Sequence, residues 1–89
     1  MHKLASEGDA KAQYSLAACF FHGWGLVKDE AQSARWWRLA AEQGYAPAQY
    51  SLGFCYINGI GMANDAARAA EWFLKAAENG NAKAQYRLG

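Results

Sequence analysis

The chain has 89 residues, enough for one small domain, and nine basic against eight acidic residues give it a formal net charge of +1. The two signs are interspersed, so the basic stripe that binds phosphates is missing and nucleic acid is not an expected partner. Twenty residues are alanine and seven are leucine, threonine is absent, and only Val27, Ile57 and Ile60 are β-branched aliphatics. Because alanine and leucine favour helices and strands favour β-branched residues, the composition predicts an all-α protein.

Nothing in the chain predicts insertion into a membrane. The longest apolar run, residues 16–21, is far shorter than the roughly 18–20 residues that span a bilayer. No charged leader precedes an apolar stretch, so we expect no signal peptide in this chain.

An internal repeat dominates the sequence. Shifting the chain against itself by 36 residues gives 25 identities in 53 overlapping positions. The segment 12–16, Ala-Gln-Tyr-Ser-Leu, recurs at 48–52 and, with arginine for serine, at 84–88. A fixed period of this length is typical of a solenoid, in which each unit buries its apolar face on its neighbours. We therefore expect one domain over 1–89, made of the end of a preceding repeat helix (1–8), repeat one (9–44), repeat two (45–80) and the start of a third repeat (81–89).

The first unit is predicted to begin with a helix over about residues 10–21. Ala12, Leu16 and Phe20 recur at a spacing of four and form its buried stripe. Gly23 and Gly25 end the helix, because glycine adopts the left-handed conformation that closes a helix C-terminus without steric cost.

A second helix is predicted to follow Asp29, which is placed as an N-cap with Gln32 three residues later, as in a capping box. The helix ends at Gly44, and its buried stripe is Ala34, Trp37 and Ala41. The second unit repeats this plan, with Pro47 in the first turn of its first helix, where no N–H is needed. The corresponding residues of its second helix are the cap Asp65, the stripe Ala70, Phe73 and Ala77, and the stop Gly80.

With these residues, the chain resembles the Sel-1-like repeat family, relatives of the tetratricopeptide repeats. The family pattern is roughly A-x-A-Q-Y-x-L-G-x-x-Y-x-x-G-x-G-V-x-x-D, followed by x-x-x-A-x-x-W-[YF]-x-x-A-A-x-x-G. Residues 46–65 follow the first part closely, with Met62 in place of valine. Residues 10–29 follow it with Ala17 for glycine, Phe20 for tyrosine and Leu26 for valine. The pairs Trp36-Trp37 and Trp72-Phe73 match the aromatic positions of the second part.

The resemblance implies a right-handed α-α superhelix of about two and a half helix-turn-helix repeats, with the first helices lining a concave groove. Family members are typically adaptors or scaffolds that bind protein segments, and no catalytic residues come with the repeat. On the first helices, one stripe lies opposite the Leu16 face. It comprises Lys11, Ser15, Ala18 and His22, then Pro47, Ser51, Phe54 and Asn58, then Lys83 and Arg87.

This stripe is basic at one end, small and polar in the middle, and carries Phe54 as an apolar anchor. Such a surface suits an extended peptide or a helix with a carboxylate opposite Lys83 and Arg87. The alternative is that these positions are merely solvated. Trp24 stands between the two loop glycines, so we expect it to be an exposed aromatic, whereas the other aromatics are expected to be mostly packing residues.

Cysteine and histidine offer little chemistry. Cys19 and Cys55 occupy matching positions of successive helices, whose axes lie roughly 8–10 Å apart, too far for a disulfide. Unpaired thiols that pack as small hydrophobes favour a reducing, cytoplasmic location. His22 lies three residues after Cys19, and Cys55 would add a third metal ligand. A closed zinc site needs four, so we expect no metal site.

No catalytic motif is present, and we expect neither an enzyme nor a cofactor. The hypothesis from the sequence is a protein–protein interaction module whose partner is a peptide or a helical segment. A structural spacer within a longer repeat scaffold is the main alternative. A cell-wall-directed hydrolase-like role, as in some cysteine-rich relatives, is weaker. Self-association through the open repeat ends is a further possible partner interaction.

Overall fold

The computed structural model describes residues 8–80, which form four helices and no strand. The helices are α1 (Ala10–His22), α2 (Glu30–Glu42), α3 (Ala46–Asn58) and α4 (Ala66–Glu78). Each helix packs against the next one along the chain, so two helical hairpins are stacked through α2 and α3. The predicted all-α solenoid is confirmed.

Aspartates begin three of the four helices. The carboxylates of Asp9, Asp29 and Asp65 accept hydrogen bonds from the backbone N–H three residues later, at 2.8, 3.2 and 3.1 Å. The reciprocal bond of a capping box does not form at Asp29, because its N–H donates to the carbonyl of Phe20 at 2.9 Å. The N–H of Asp65 donates in the same way to Tyr56. The caps Asp29 and Asp65 therefore also fasten the second helix of each hairpin to the last turn of the first.

Pro47 lies in the first turn of α3, as predicted, and Gly23 ends α1 in the left-handed conformation, with φ of 74°. Gly59 ends α3 in the same way, with φ of 66°.

The core consists of alanines interleaved with a few large side chains. Ala17, Ala40 and Ala48 are fully buried among Trp37 and Leu52. Small residues let the helices approach closely, and the large ones fill the space between turns. The buried stripe of α2 is as predicted, with Ala34, Trp37 and Ala41 all buried.

The predicted stripe of α4 is partly wrong. Phe73 is buried, but Ala70 is exposed and Ala77 is half-buried, whereas Ala69 and Ala76 are fully buried. The reason is that α2 lies between two helices, while α4 packs mainly against α3 among the described elements. On α2, a second neighbouring helix covers Ala34. The matching residue of α4, Ala70, has no such neighbour among the described elements and is therefore exposed.

In each hairpin, a buried glutamine of the first helix is hydrogen-bonded to a side chain at the end of the second helix. The Nε2 of Gln43 donates to the Oε1 of Gln13 at 2.8 Å, and the Nδ2 of Asn79 donates to the Oε1 of Gln49 at 2.8 Å. Gln49 is only 4% exposed, and its own Nε2 donates to the carbonyl of Ala41 at 3.1 Å. Gln49 therefore links α3 to the ends of both α2 and α4, and its buried polar atoms are satisfied.

The loop after α3 lies directly on the start of α2. Gly61 has a positive φ of 69°, and a Cβ at this position would lie 2.5 Å from the carbonyl oxygen of Glu30. The matching residue of the first repeat, Gly25, has a similar φ of 73°, but no atom of residues 8–80 lies within 4 Å of its would-be Cβ. Within these residues, the second glycine of the loop therefore contacts a neighbouring repeat at Gly61 and not at Gly25.

Replacing Gly61 by alanine is expected to destabilise the chain more than the same change at Gly25. Both variants pay about 1–2 kcal/mol for a left-handed alanine, and Gly61→Ala adds roughly 1–3 kcal/mol because backbone must move away from the new methyl group. Urea unfolding monitored by circular dichroism measures both changes. Equal losses of stability would show that the loop does not press on α2.

Replacing Gln49 by alanine is expected to lower the free energy of unfolding by about 1–3 kcal/mol, since the carbonyl of Ala41 and the amide of Asn79 lose their partner. The matched variant Asn79→Ala removes only one of these bonds and should cost about 1 kcal/mol or less. Chemical denaturation of the two variants checks the order. A larger loss for Asn79→Ala would contradict the central position of Gln49.

Candidate binding surface on the first helices

A cleft of about 400 Å³ lies along α1. Three residues that the sequence predicts as binding residues line it, Ser15, Ala18 and His22, together with Trp24, which is predicted as an exposed loop aromatic. The first three recur along one face of the helix, and Gly23 turns the chain so that Trp24 follows at its end. Lys11 is exposed at the start of α1 and does not line the cleft.

Aromatic rings form one end of this cleft. The imidazole of His22 stacks on the indole of Trp24, with ring centroids 4.2 Å apart and an interplanar angle of 17°. The same imidazole meets Phe21 edge-on, with centroids at 5.0 Å. The backbone N–H of Trp24 donates to the carbonyl of Cys19 at 2.9 Å, and this bond fixes the loop on the end of α1. Trp24 nevertheless remains 62% exposed, so most of its indole faces solvent.

The predicted residues of α3 do not line this cleft. Phe54 is half-buried and meets the ring of Phe21 edge-on, with centroids 6.5 Å apart. Asn58 is exposed, and its Nδ2 donates to the carbonyl of Phe54 at 3.0 Å. Ser51 and Pro47 are half-buried. The contact between Phe21 and Phe54 thus connects the surfaces of the two first helices. Lys83 and Arg87 lie outside the described residues.

The cleft is also lined by Tyr14 and Cys19, neither of which was predicted as a site residue. The ring of Tyr14 packs edge-on against Tyr45, with centroids 5.5 Å apart. The helical spacing could have indicated both, because Tyr14 lies four residues before Ala18 and Cys19 four after Ser15. Tyr14 and Cys19 were instead expected to pack in the core, because tyrosine and unpaired cysteine are common packing residues.

The two cysteines differ in environment although they match in the repeat. Both are free, and Cys55 is fully buried, as expected for a small hydrophobe. Burial, with a smaller contribution from the negative charge of Glu30, raises the pKa of the Cys55 thiol to about 12. The same expectation is wrong for Cys19, which is half-buried and lines the cleft, because no further helix within residues 8–80 covers this face of α1.

Residues 8–80 contain no group of three or more histidine, cysteine, aspartate or glutamate side chains placed to hold a metal ion. Within the same residues, no helix is both long and apolar enough to cross a membrane.

The Sel1 repeat family model matches residues 10–45, 46–81 and 82–89, which is most of the chain. The chain belongs to the Sel1 repeat family. This confirms the resemblance inferred from the repeated motifs. Sel1 repeats are generally protein–protein interaction modules, and the proteins that contain them are typically non-catalytic adaptors.

Solved structures of other Sel1 repeat proteins are closely similar. A Sel1 repeat protein from Oxalobacter formigenes is 45% identical with a TM-score of 0.93, and the match covers 94% of this chain and 63% of that one. The protective antigen c5321 of uropathogenic Escherichia coli, which displays the same repeat fold, is 41% identical with a TM-score of 0.94. That match covers 98% of this chain but 19% of the antigen. This Sel1 chain thus spans under two thirds of either protein. No curated protein matches it.

The two thiols of this Sel1 domain are expected to react at different rates. At pH 8 a thiol reagent such as DTNB should modify Cys19 first, because Cys55 is buried and its raised pKa keeps it protonated. Both thiols should react at once in urea. Time courses with Cys19→Ala and Cys55→Ala assign the phases, and a fast phase that survives in Cys19→Ala would contradict the assignment.

Proposed function

We propose that this Sel1 domain is a protein–protein interaction module that binds an extended peptide or a helical segment of a partner along its first helices. The observation that carries the proposal is the cleft on α1 with the exposed indole of Trp24 at its end. Tryptophan is enriched among the residues that dominate binding energy, since it offers a large apolar face and one polar N–H.

The stacked pair of His22 and Trp24 supports a preformed contact. The two rings lie 4.2 Å apart and the loop N–H is bonded to the helix end, so little side-chain freedom is lost on binding. Ser15 supplies a hydroxyl that can donate and accept hydrogen bonds along a bound backbone. The cleft therefore combines a rigid apolar end with a small polar floor, the composition typical of ligand-binding clefts.

The groove is proposed to continue from this cleft across Phe54 towards the third repeat. Phe54 contacts Phe21, and Ser51 lies one turn earlier on the same helix. Lys83 and Arg87 are proposed to supply positive charge at the far end and to orient a partner that carries a carboxylate.

A second proposed role is that of a spacer in a longer array, and the loop after α1 favours it. Leu26 is exposed and Val27 is 88% exposed, whereas Met62, which matches Leu26, is half-buried against the core. The loop after α3 is covered because it packs on α2. A further repeat, or a second copy of this chain, would cover the loop after α1 in the same way.

Trp24→Ala is expected to weaken partner binding at least tenfold, because it removes the exposed anchor of the cleft. Val27→Ala is the matched control, since it truncates a more exposed apolar residue of the same loop that does not line the cleft. Partners captured from a native lysate by the unchanged domain would be identified, and their direct affinities for both variants measured by calorimetry.

The two proposed roles give different results in this comparison. A peptide-binding cleft predicts loss with Trp24→Ala and retention with Val27→Ala, at unchanged helicity. Capture that is insensitive to Trp24→Ala would contradict the cleft. Loss with Val27→Ala alone, together with a concentration-dependent molecular mass, would indicate self-association through the loop.

A further inference from the structure

A second cleft, of about 250 Å³, lies at the junction of the two repeats and shares no residue with the α1 cleft. One wall is a single face of α2, on which Ala31, Ala34, Arg35 and Arg38 recur at helical spacing. The opposite wall is the loop after α3, which Gly61 presses against the start of α2.

Two guanidinium groups stand at this cleft with little to neutralise them. Arg35 is exposed and has no carboxylate within ion-pair distance among residues 8–80. The Nε of Arg38 lies 3.4 Å from the Oε2 of Glu42, but both side chains are more than half exposed. An exposed ion pair of this length is weak and gives way readily to a better-placed carboxylate.

Tyr56 provides a third polar group. The residue as a whole is only 8% exposed and lines the cleft. Its hydroxyl forms no hydrogen bond with residues 8–80 and is not one of their buried unpaired polar atoms, so it reaches the solvent of the cleft. The hydroxyl is therefore free to donate to a ligand atom there.

We propose that this cleft binds the side-chain carboxylate of an aspartate or glutamate in a partner protein segment. The two arginines supply forked N–H donors, which match the two oxygens of a carboxylate, and Tyr56 supplies an O–H donor. The methyl groups of Ala31 and Ala34 and the side chain of Met62 accept the apolar part of the segment. Positive charge around an apolar floor selects an acidic segment with apolar neighbours.

Of the two repeats, the first alone supplies the two arginines of this site. The second repeat has Glu71 and Leu74 at the positions of Arg35 and Arg38, so the same face of α4 carries neither guanidinium group. The double variant Arg35→Glu, Arg38→Leu therefore transplants residues that the same helix type already carries in this chain. It should remove the site while the helices remain folded.

The probe is an acetylated and amidated hexapeptide with two glutamates flanked by leucine and alanine, titrated into the ¹⁵N-labelled full chain. The Nε–Hε resonances of Arg35 and Arg38 are expected to shift and saturate, and that of Arg68 to stay unchanged. Arg68 is the matched control, because it is an exposed arginine of the second repeat paired with Asp65. The double variant, with helicity checked by circular dichroism, should bind at least tenfold more weakly.

Other results would overturn the proposal. Shifts at Arg68 equal to those at Arg35 and Arg38, or shifts that do not saturate, would indicate unspecific attraction. A control hexapeptide with glutamine in place of both glutamates should bind more weakly, and equal binding of the two peptides would exclude carboxylate recognition. Binding only of a glutamine peptide with a free C-terminus would assign the cleft to terminal carboxylates instead. Trp24→Ala should leave the glutamate peptide bound, so failure of this proposal is distinguishable from failure of the α1 cleft.

Discussion

The side chain of Gln49 joins three helices of the solenoid. Its amide donates to the end of α2 and accepts from the end of α4, while the residue itself belongs to α3. A helix end leaves backbone carbonyls unsatisfied, and burial makes such groups costly unless a side chain reaches them. One glutamine per repeat thus fixes where each hairpin closes, and Gln49 also fixes how the second hairpin sits on the first. The alanine-rich core fills the space that this arrangement defines.

The sequence predicts this fold well because the repeat shows each local signal at least twice. Asp29 and Asp65 cap as predicted, and Gly23 and Gly59 end their helices as the glycine spacing indicates. The role of Gln49 was not predicted, since its partners lie 8 and 30 residues away and depend on packing. The stripe of α4 was misplaced because the number of neighbours around a helix is not encoded in its periodicity.

The candidate binding surface was predictable only in part. Helical spacing alone brings Ser15, Ala18 and His22 to one face, and the loop glycines leave Trp24 exposed. The stacking of His22 on Trp24 depends on the turn geometry and could not be derived from spacing. Arg35 and Arg38 lie on one face of a predicted helix, but their cleft exists only because the loop of the following repeat forms its other wall.

The amide bonds that close the hairpins have a consequence for folding kinetics. Each joins residues only 30 positions apart, so a hairpin can close without first ordering a distant part of the chain. Most other contacts of a helical repeat lie within one helix or between neighbouring helices, and such topologies have low contact order and fold quickly. Because repeats interact with their nearest neighbours, folding can nucleate in either hairpin and propagate along the array. An end repeat that opens can therefore refold on a neighbour that has stayed native.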